Sequence, residues 1–389
     1  MYRERFMNME TEAYIKAIQD LPLKMMGRRR IIIAGGGTGG HIFPAIAVAN
    51  ALKVKRSDVE ILFVGASGKM EMDKVPEAGY KIVGLYIAGY DRGSLFKNIT
   101  LPFKLLRSFL QVTRLLRTFK PDAIFGVGGY SSFPVLRLAQ TRNIPTFILE
   151  SNSIPGKANM MLAKRATKIF VASEGMNQFF PPEKIIITGN PVRNIFSEAN
   201  IIRSEALEFF GLKPEPKTVA IIGGSLGAKS INETIAENIN VFKQNNLQLI
   251  WQTGKAFAEN AARVEEEKLG VWTNSFISKM EYAYAAADVV VSRAGGMAIA
   301  ELSVAGKPVI FVPYPFATEN HQMANAMALV KKNAALMIKD SEVKTKLMDT
   351  ILYLLKNDSL ALELRKNISK LGNTQADERI AEEILKHIK

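Results

Sequence analysis

Residues 35–48 read GGGTGGHIFPAIAV and directly follow the apolar run 31-IIIA-34. Five glycines fall in six positions before a histidine and an apolar helical pattern. Such a strand–loop–helix junction lets backbone amides approach a ligand without side-chain obstruction. The amides and dipole of a helix start also favour an anion. The plain alternative is a tight strand–helix turn with no ligand. The spacing Gly35-x-Gly37-x-x-Gly40 matches the dinucleotide fingerprint. However, the strand 60-EILFVG-65 runs on into Ala66-Ser67-Gly68, with no acid for an adenosine ribose. No Gly-Lys-Ser/Thr completes a Walker loop.

Outward from this junction, short β-branched runs alternate with helical patterns. The first set is 31-IIIA-34, 60-EILFVG-65, 122-DAIFGVGG-129, 144-IPTFILE-150, 168-KIFVAS-173 and 185-IIITG-189. The second is 218-TVAIIGG-224, 247-LQLIWQTG-254, 270-GVWTNSF-276, 287-ADVVVSRAGG-296 and 307-KPVIFVPYP-315. Continuous apolar runs with helices between them predict parallel strands covered on both faces. Two α/β domains of similar construction follow, joined near residues 190–215, with the ligand expected at the carboxyl ends of their strands. The glycine device recurs as 223-GGSLGAKSIN-232 and 292-SRAGGMAIAE-301. A nucleotide diphosphate held by one domain, opposite a second ligand, explains two sets of glycine junctions better than a single dinucleotide fold.

At 389 residues and 48% apolar composition the chain supports two cores and excludes global disorder. It has no cysteine, which excludes disulfides, thiolate nucleophiles and thiolate metal sites. No stretch approaches the ~18 apolar residues of a membrane span. Residues 1–27 contain acids and lack a clean apolar core, so they read as an atypical extension rather than a secretory signal. The working fold is expected to start at Arg28. Residues 28–192 form the first domain, 193–215 the linker and 216–367 the second domain. Residues 368–389 form a C-terminal helix expected to pack back towards the first domain.

The segments GGTGGHIFPA (36–45), GVGGYSSFP (126–134), ESNSIPGKAN (150–159), TGNPVR (188–193), GGSLGAKSIN (223–232), SRAGGMAIAEL (292–302) and PYPFATENHQMANA (313–326) stand in one order. As a set, spanning roughly residues 29–385, they resemble the undecaprenyldiphospho-muramoylpentapeptide β-N-acetylglucosaminyltransferases of glycosyltransferase family 28. The resemblance implies a GT-B architecture, two facing Rossmann-like domains with an interdomain cleft. It also implies inverting transfer of N-acetylglucosamine from UDP-GlcNAc to the 4-hydroxyl of undecaprenyl-pyrophosphoryl-MurNAc-pentapeptide (lipid I), giving lipid II and UDP. A related lipid acceptor such as diacylglycerol is the alternative. A nicotinamide oxidoreductase and a nucleotide-sensing binding protein are more distant ones.

Carried over residue by residue, Thr38, Gly39 and Gly40 approach the donor and help hold the acceptor pyrophosphate. Asn152 reaches the donor sugar from the N-terminal domain. Arg193 and Ser225 lie near the donor phosphates, and Ile277 recognises uracil through its backbone. Gly296, Met297, Ala298, Ile299, Ala300 and Glu301 form the donor-binding helix start, with Glu301 on the ribose hydroxyls. Gln322 and its neighbour His321 stand near the sugar hydroxyls. Leu226 departs from the glutamine that many relatives carry after the loop serine. The extension before Arg28 is also atypical.

The residues fit this chemistry on their own terms. Donors placed where negative charge develops on a leaving diphosphate supply about 3 kcal/mol each. Arg193 offers a fixed planar fork, or else a hinge ion pair. Glu301 suits paired hydroxyls, or else is an ordinary acid near a helix start. Of the ionisable side chains histidine has the reference pKa closest to neutrality, and His41 is the candidate base that deprotonates the acceptor. Its structural alternative is to orient the glycine loop; a carboxylate or a bound water is another candidate base. With no Asp-x-Asp pair and three unclustered histidines, no metal site and no cofactor are expected.

The formal charge is +14. Residues 92–120, RGSLFKNITLPFKLLRSFLQVTRLLRTFK, hold seven Lys or Arg and no acid among many Leu and Phe. This pattern predicts an amphipathic surface for anionic phospholipid, at the cytoplasmic face of the cell membrane as a peripheral protein. Cell-wall synthesis and division proteins are further expected partners. Nucleic acid is not, for lack of a basic–aromatic platform or zinc pattern.

Overall fold

The computed structural model describes residues 16, 18–19, 28–89, 99–192, 201–224, 226–267 and 270–388. The chain divides into two compact units. Unit 1 takes the described residues up to 151, then 155–191 and those from 375 on; unit 2 takes 152–154 and 192–374.

Unit 1 is built on seven parallel strands: β1 (Arg30–Gly35), β2 (Glu60–Ala66), β3 (Lys81–Leu85), β4 (Ala123–Gly128), β5 (Thr146–Glu150), β6 (Lys168–Val171) and β7 (Ile185–Ile187), in the order β3-β2-β1-β4-β5-β6-β7. Alternate residues of β1 serve opposite cores: Ile32 and Ala34 enter one, Ile31 and Ile33 the other. This two-sided burial explains why its sequence is continuously apolar instead of alternating. The helices α1 (Gly39–Lys55), α2 (Glu71–Glu77), α3 (Leu101–Phe119) and α4 (Ser132–Thr141) belong to the connections between its first five strands. Strand order reverses between β1 and β4, the position at whose carboxyl ends open α/β sheets bind ligands.

Unit 2 repeats the plan with β8 (Lys217–Ile222), β9 (Leu247–Gln252), β10 (Val271–Asn274), β11 (Val289–Ser292), β12 (Val309–Phe311) and β13 (Leu336–Met337), in the order β10-β9-β8-β11-β12-β13. All pairs are parallel. Here the reversal falls between β8 and β11, the two strands that lead into glycine-rich loops. The helices that bear on the site are α5 (Lys229–Glu237), α6 (Met280–Ala286), α7 (Gly296–Ala305) and α8 (His321–Val330).

Two strands exceed the sequence reading. Both β3 and β13 lie at sheet edges and are incompletely buried. Edge strands lack the continuous apolar signature of the centre, so periodicity alone passed over them. The helical pattern at the end of the chain becomes Val343–Lys356, Asp358–Ser369 and α9 (Ala376–Lys386). Helix α9 packs on α1 within unit 1, where Ile380, Ala381 and Ile384 complete a core and Lys55 pairs with Glu382 at 2.7 Å. Of the N-terminal extension, Ile18 is buried in the other core of the same unit.

Candidate active site

In unit 1 the loop between β1 and α1 passes through left-handed backbone at Gly37 (φ 91°). Gly35 must also be glycine, because a Cβ there would lie 2.5 Å from the Gly128 carbonyl oxygen. Thr38 is the exposed N-cap residue of α1; Gly39, Gly40 and His41 are half-buried in its first turn, which holds no acid. His41 Nδ1 lies 3.1 Å from the Gly36 carbonyl oxygen and 3.4 Å from Thr38 Oγ1. A carbonyl oxygen only accepts, so Nδ1 carries the proton of the neutral ring and Nε2 the lone pair. Nε2 rests over Gly128, where a Cβ would come within 2.9 Å of it.

The segment 126-GVGGYSSFP-134 meets this loop, and one further participant, Glu71, escaped the sequence reading. Gly128 and Gly129, both at positive φ, let the β4–α4 turn approach the first loop; the GVGG run was their available signal. Glu71 is buried beneath the loop and accepts from the Gly37 amide at 2.9 Å. Tyr130 packs near Gly37 and Gly89, and its phenol is pushed up by burial and by the Glu71 carboxylate. It therefore stays a hydroxyl donor throughout the neutral range.

In unit 2, the loop after β8 turns at Gly224 and Gly227, both at φ 79°, and Gly227 packs directly on the Thr253 carbonyl. Leu226 at its tip is exposed. Ser225 and Arg193 lie outside the described residues. Ile277 is buried, and its amide donates to Gln252 Oε1 at 3.1 Å. Residues Gly296 to Glu301 run along the first part of α7, every one half-buried. Glu301 Oε2 accepts from Tyr284 Oη at 3.4 Å, which fixes one carboxylate oxygen from inside the unit.

On α8, half-buried His321 precedes Gln322, whose Oε1 accepts from the Tyr314 amide at 2.9 Å. Asn152 groups with unit 2, where its Oδ1 accepts from Asn325 Nδ2 at 3.1 Å; Asn325 Oδ1 in turn accepts from the Ser153 amide at 2.8 Å. Gln252 and Asn325 are further residues the sequence reading did not select. Asn325 is a buried polar side chain inside an apolar run and Gln252 one that ends such a run, the signal that marks a group with an internal partner.

Arg293 organises the same rim. Its guanidinium donates to the Val312 carbonyl at 3.1 Å and Ser230 Oγ at 3.3 Å, and pairs with Asp340 at 2.5 Å. One planar fork thereby ties the loops after β11 and β12 to the start of α5. Among the described residues no group of three or more histidines or acids is placed to hold a metal ion. None of the described helices is long and apolar enough to cross a membrane.

Comparison with known proteins also finds two domains. Residues 31–171 match the glycosyltransferase family 28 N-terminal domain and residues 218–384 the family 28 C-terminal domain. The chain is 49% identical over 365 residues to a Parabacteroides distasonis protein named UDP-N-acetylglucosamine–N-acetylmuramyl-(pentapeptide) pyrophosphoryl-undecaprenol N-acetylglucosamine transferase, covering 93% of this chain and 99% of that one. A Phocaeicola vulgatus protein of the same name is 49% identical over 360 residues, covering 92% and 96%. Among solved structures, Acinetobacter baumannii MurG aligns with a TM-score of 0.71 at 26% identity, covering 92% of this chain and 99% of that one. The CalG4 calicheamicin glycosyltransferase shares the fold, with a TM-score of 0.66 at 13% identity over 93% and 98%. With both family domains matched in order, relatives of the same name aligned over 92–93% of its length, and two parallel α/β units of the GT-B class, the chain belongs to glycosyltransferase family 28.

Proposed function

We propose that this protein transfers N-acetylglucosamine from UDP-GlcNAc to the muramyl 4-hydroxyl of undecaprenyl-pyrophosphoryl-MurNAc-pentapeptide, with inversion at the sugar carbon. The chief support is the end-to-end likeness to transferases that carry this activity in their name. In the reaction the acceptor oxygen forms a bond to the sugar C1 as the C1–O bond to UDP breaks. The hydroxyl proton passes to His41 Nε2, the nitrogen left with a lone pair by the Gly36 carbonyl. Thr38 and the amides of Gly39 and Gly40 form a helix start free of acids, suited to the acceptor pyrophosphate.

The donor binds unit 2. Glu301, braced by Tyr284, takes the ribose hydroxyls. Because the Ile277 amide is engaged by Gln252, the Ile277 carbonyl is the backbone group that receives the uracil N–H. The first turn of α7 presents the amides of Gly296, Met297 and Ala298 to the diphosphate, together with Ser225 and Arg193, while the Ile299 amide already donates to the Gly295 carbonyl at 3.0 Å and Ile299 and Ala300 line the next turn. Asn152, Gln322 and His321 meet the sugar.

A lipid-borne acceptor calls for a membrane-facing surface, and α3 supplies one. Phe103, Leu106 and Leu110 are 75%, 61% and 66% exposed and follow helical spacing along one line, which Arg114 and Arg117 continue; Ile99, in the turn just before the helix, is 66% exposed. Val112, Leu115, Leu116 and Phe119 on the other side fill the core. The exposed line is proposed to lie on anionic phospholipid at the cytoplasmic membrane face.

UDP release from UDP-GlcNAc, measured with and without the muramyl lipid, tests the reading. Strict dependence on that lipid is expected. Equal release with diacylglycerol in its place, or UDP binding without turnover, would overturn it.

A further inference from the structure

Glu71 belongs to none of the motifs that carry the functional reading. It is 1% exposed, whereas Asp73 and Glu77 of the same short helix face solvent. A carboxylate at that depth requires donors. Two backbone amides supply them: Ala66 N–H donates to Oε1 and Gly37 N–H to Oε2, each at 2.9 Å. The carboxylate also fills the space that a side chain would take at Gly36 or Gly65.

The Gly37 N–H and the Gly36 C=O are the two ends of a single peptide plane. Glu71 holds one end and His41 Nδ1 the other, at 3.1 Å. A peptide between two glycines rotates easily, since neither residue carries a Cβ to oppose it. Were this plane reversed, an N–H would face Nδ1, which would then have to accept. The ring proton would move to Nε2, the nitrogen needed as base.

We propose that Glu71 is a positioning residue for the sugar-transfer reaction: by anchoring the Gly36–Gly37 peptide it sets the tautomer and orientation of His41. The chain carboxylate, peptide, imidazole has the logic of a carboxylate orienting a histidine directly, with one peptide interposed. Hydrogen bonds in such a series polarise one another, which tightens the hold on the Nδ1 proton. The inference rests on the transferase reading and on His41 as proton acceptor.

The test combines 15N imidazole spectra with kinetics of E71Q. The chain has three histidines, so few signals compete. In the unsubstituted protein His41 is expected as the Nδ1–H form. In E71Q, one oxygen must serve two amides, and a mixture with the Nε2–H form is expected. Turnover with the muramyl lipid should fall about 10- to 100-fold, in line with a misplaced base, while UDP affinity stays within about twofold. E71Q combined with H41A should lose no more than H41A alone, because both act through one group.

An Nε2–H form in the unsubstituted protein overturns the proposal. So does E71Q with unchanged tautomer and turnover, or a loss that multiplies with that of H41A. If E71Q does not fold, the tautomer of the unsubstituted protein decides. That spectrum needs no substrate, so absent lipid-dependent turnover would sink the transferase reading and leave this measurement decisive.

Discussion

At the scale of single residues, the site in unit 1 is defined as much by missing side chains as by those present. Gly128 shows this most clearly. Its φ of 98° already disfavours any L side chain, and an added Cβ would meet His41 Nε2 at 2.9 Å. Gly128→Ala is therefore expected to cut lipid-dependent turnover at least about tenfold through the displaced imidazole. UDP titration should be unaffected, since the residues proposed to bind the nucleotide lie in unit 2. Near-normal turnover in that variant would argue against Nε2 as the reacting nitrogen. His41 and its loop were legible in the sequence because five glycines beside a histidine are a local signal. Glu71 was not: 69-KMEMDK-74 reads as an ordinary surface helix, and its partner Gly37 stands 34 positions away.

At the scale of elements, α3 shows what periodicity can and cannot convey. The sequence of residues 92–120 announces a basic amphipathic helix, but a helix with two apolar faces looks the same as one with a single broad face. Packing separates them, with Val112, Leu115, Leu116 and Phe119 inward and Phe103, Leu106 and Leu110 outward. Replacing Phe103, Leu106 and Leu110 together by serine should weaken binding to anionic phospholipid vesicles by more than about tenfold, given roughly 1.5–3 kcal/mol for each large apolar side chain fully transferred. Thermal stability should hardly change, because these side chains contribute little to the core. Unaltered vesicle partition in a cosedimentation assay would remove α3 from the membrane role. Residues 90–98 of the same region lie outside the described residues.

Lys307 makes a pH-dependent contribution at an element boundary. It donates to the carbonyls of Ala285 and Ala287, closing the end of α6. Burial, helped by the nearby Arg365 charge, pushes its ammonium down to about 8. A lysine lowered in the folded state destabilises the fold while both states are protonated, below about 8. As the pH rises from there towards the unfolded value of 10.5, the folded state gives up its proton first and unfolding becomes harder. Between pH 7 and 10 the protein should therefore gain about 2–3 kcal/mol relative to Lys307→Met. Urea titrations followed by tryptophan fluorescence would register this. Parallel pH dependence of the two proteins would exclude the effect.

At the scale of the whole molecule, each unit has its own pair of cores, and the chain returns to unit 1 at its end. Ile384 of α9 is fully buried against residues that precede it by more than 200 positions. Ile384→Ala is expected to cost unit 1 about 2–5 kcal/mol. Both tryptophans, Trp251 and Trp272, belong to unit 2, so their unfolding transition should stay in place while far-UV circular dichroism shows an earlier loss. A matching shift in both signals would mean that the two units unfold as one.

The sequence by itself determined the α/β class, the central strands, the glycine junctions and the family. All of these are written in contiguous residues whose spacing reflects local backbone geometry and two-sided burial. Tertiary structure alone decided that β3 and β13 extend the sheets and that α3 divides its apolar residues between core and solvent. It also decided that Glu71 grips the peptide next to His41, and that Gln252 already occupies the Ile277 amide. These features depend on partners brought together from distant parts of the chain, and a residue's own neighbours carry no record of the group it will meet across the fold.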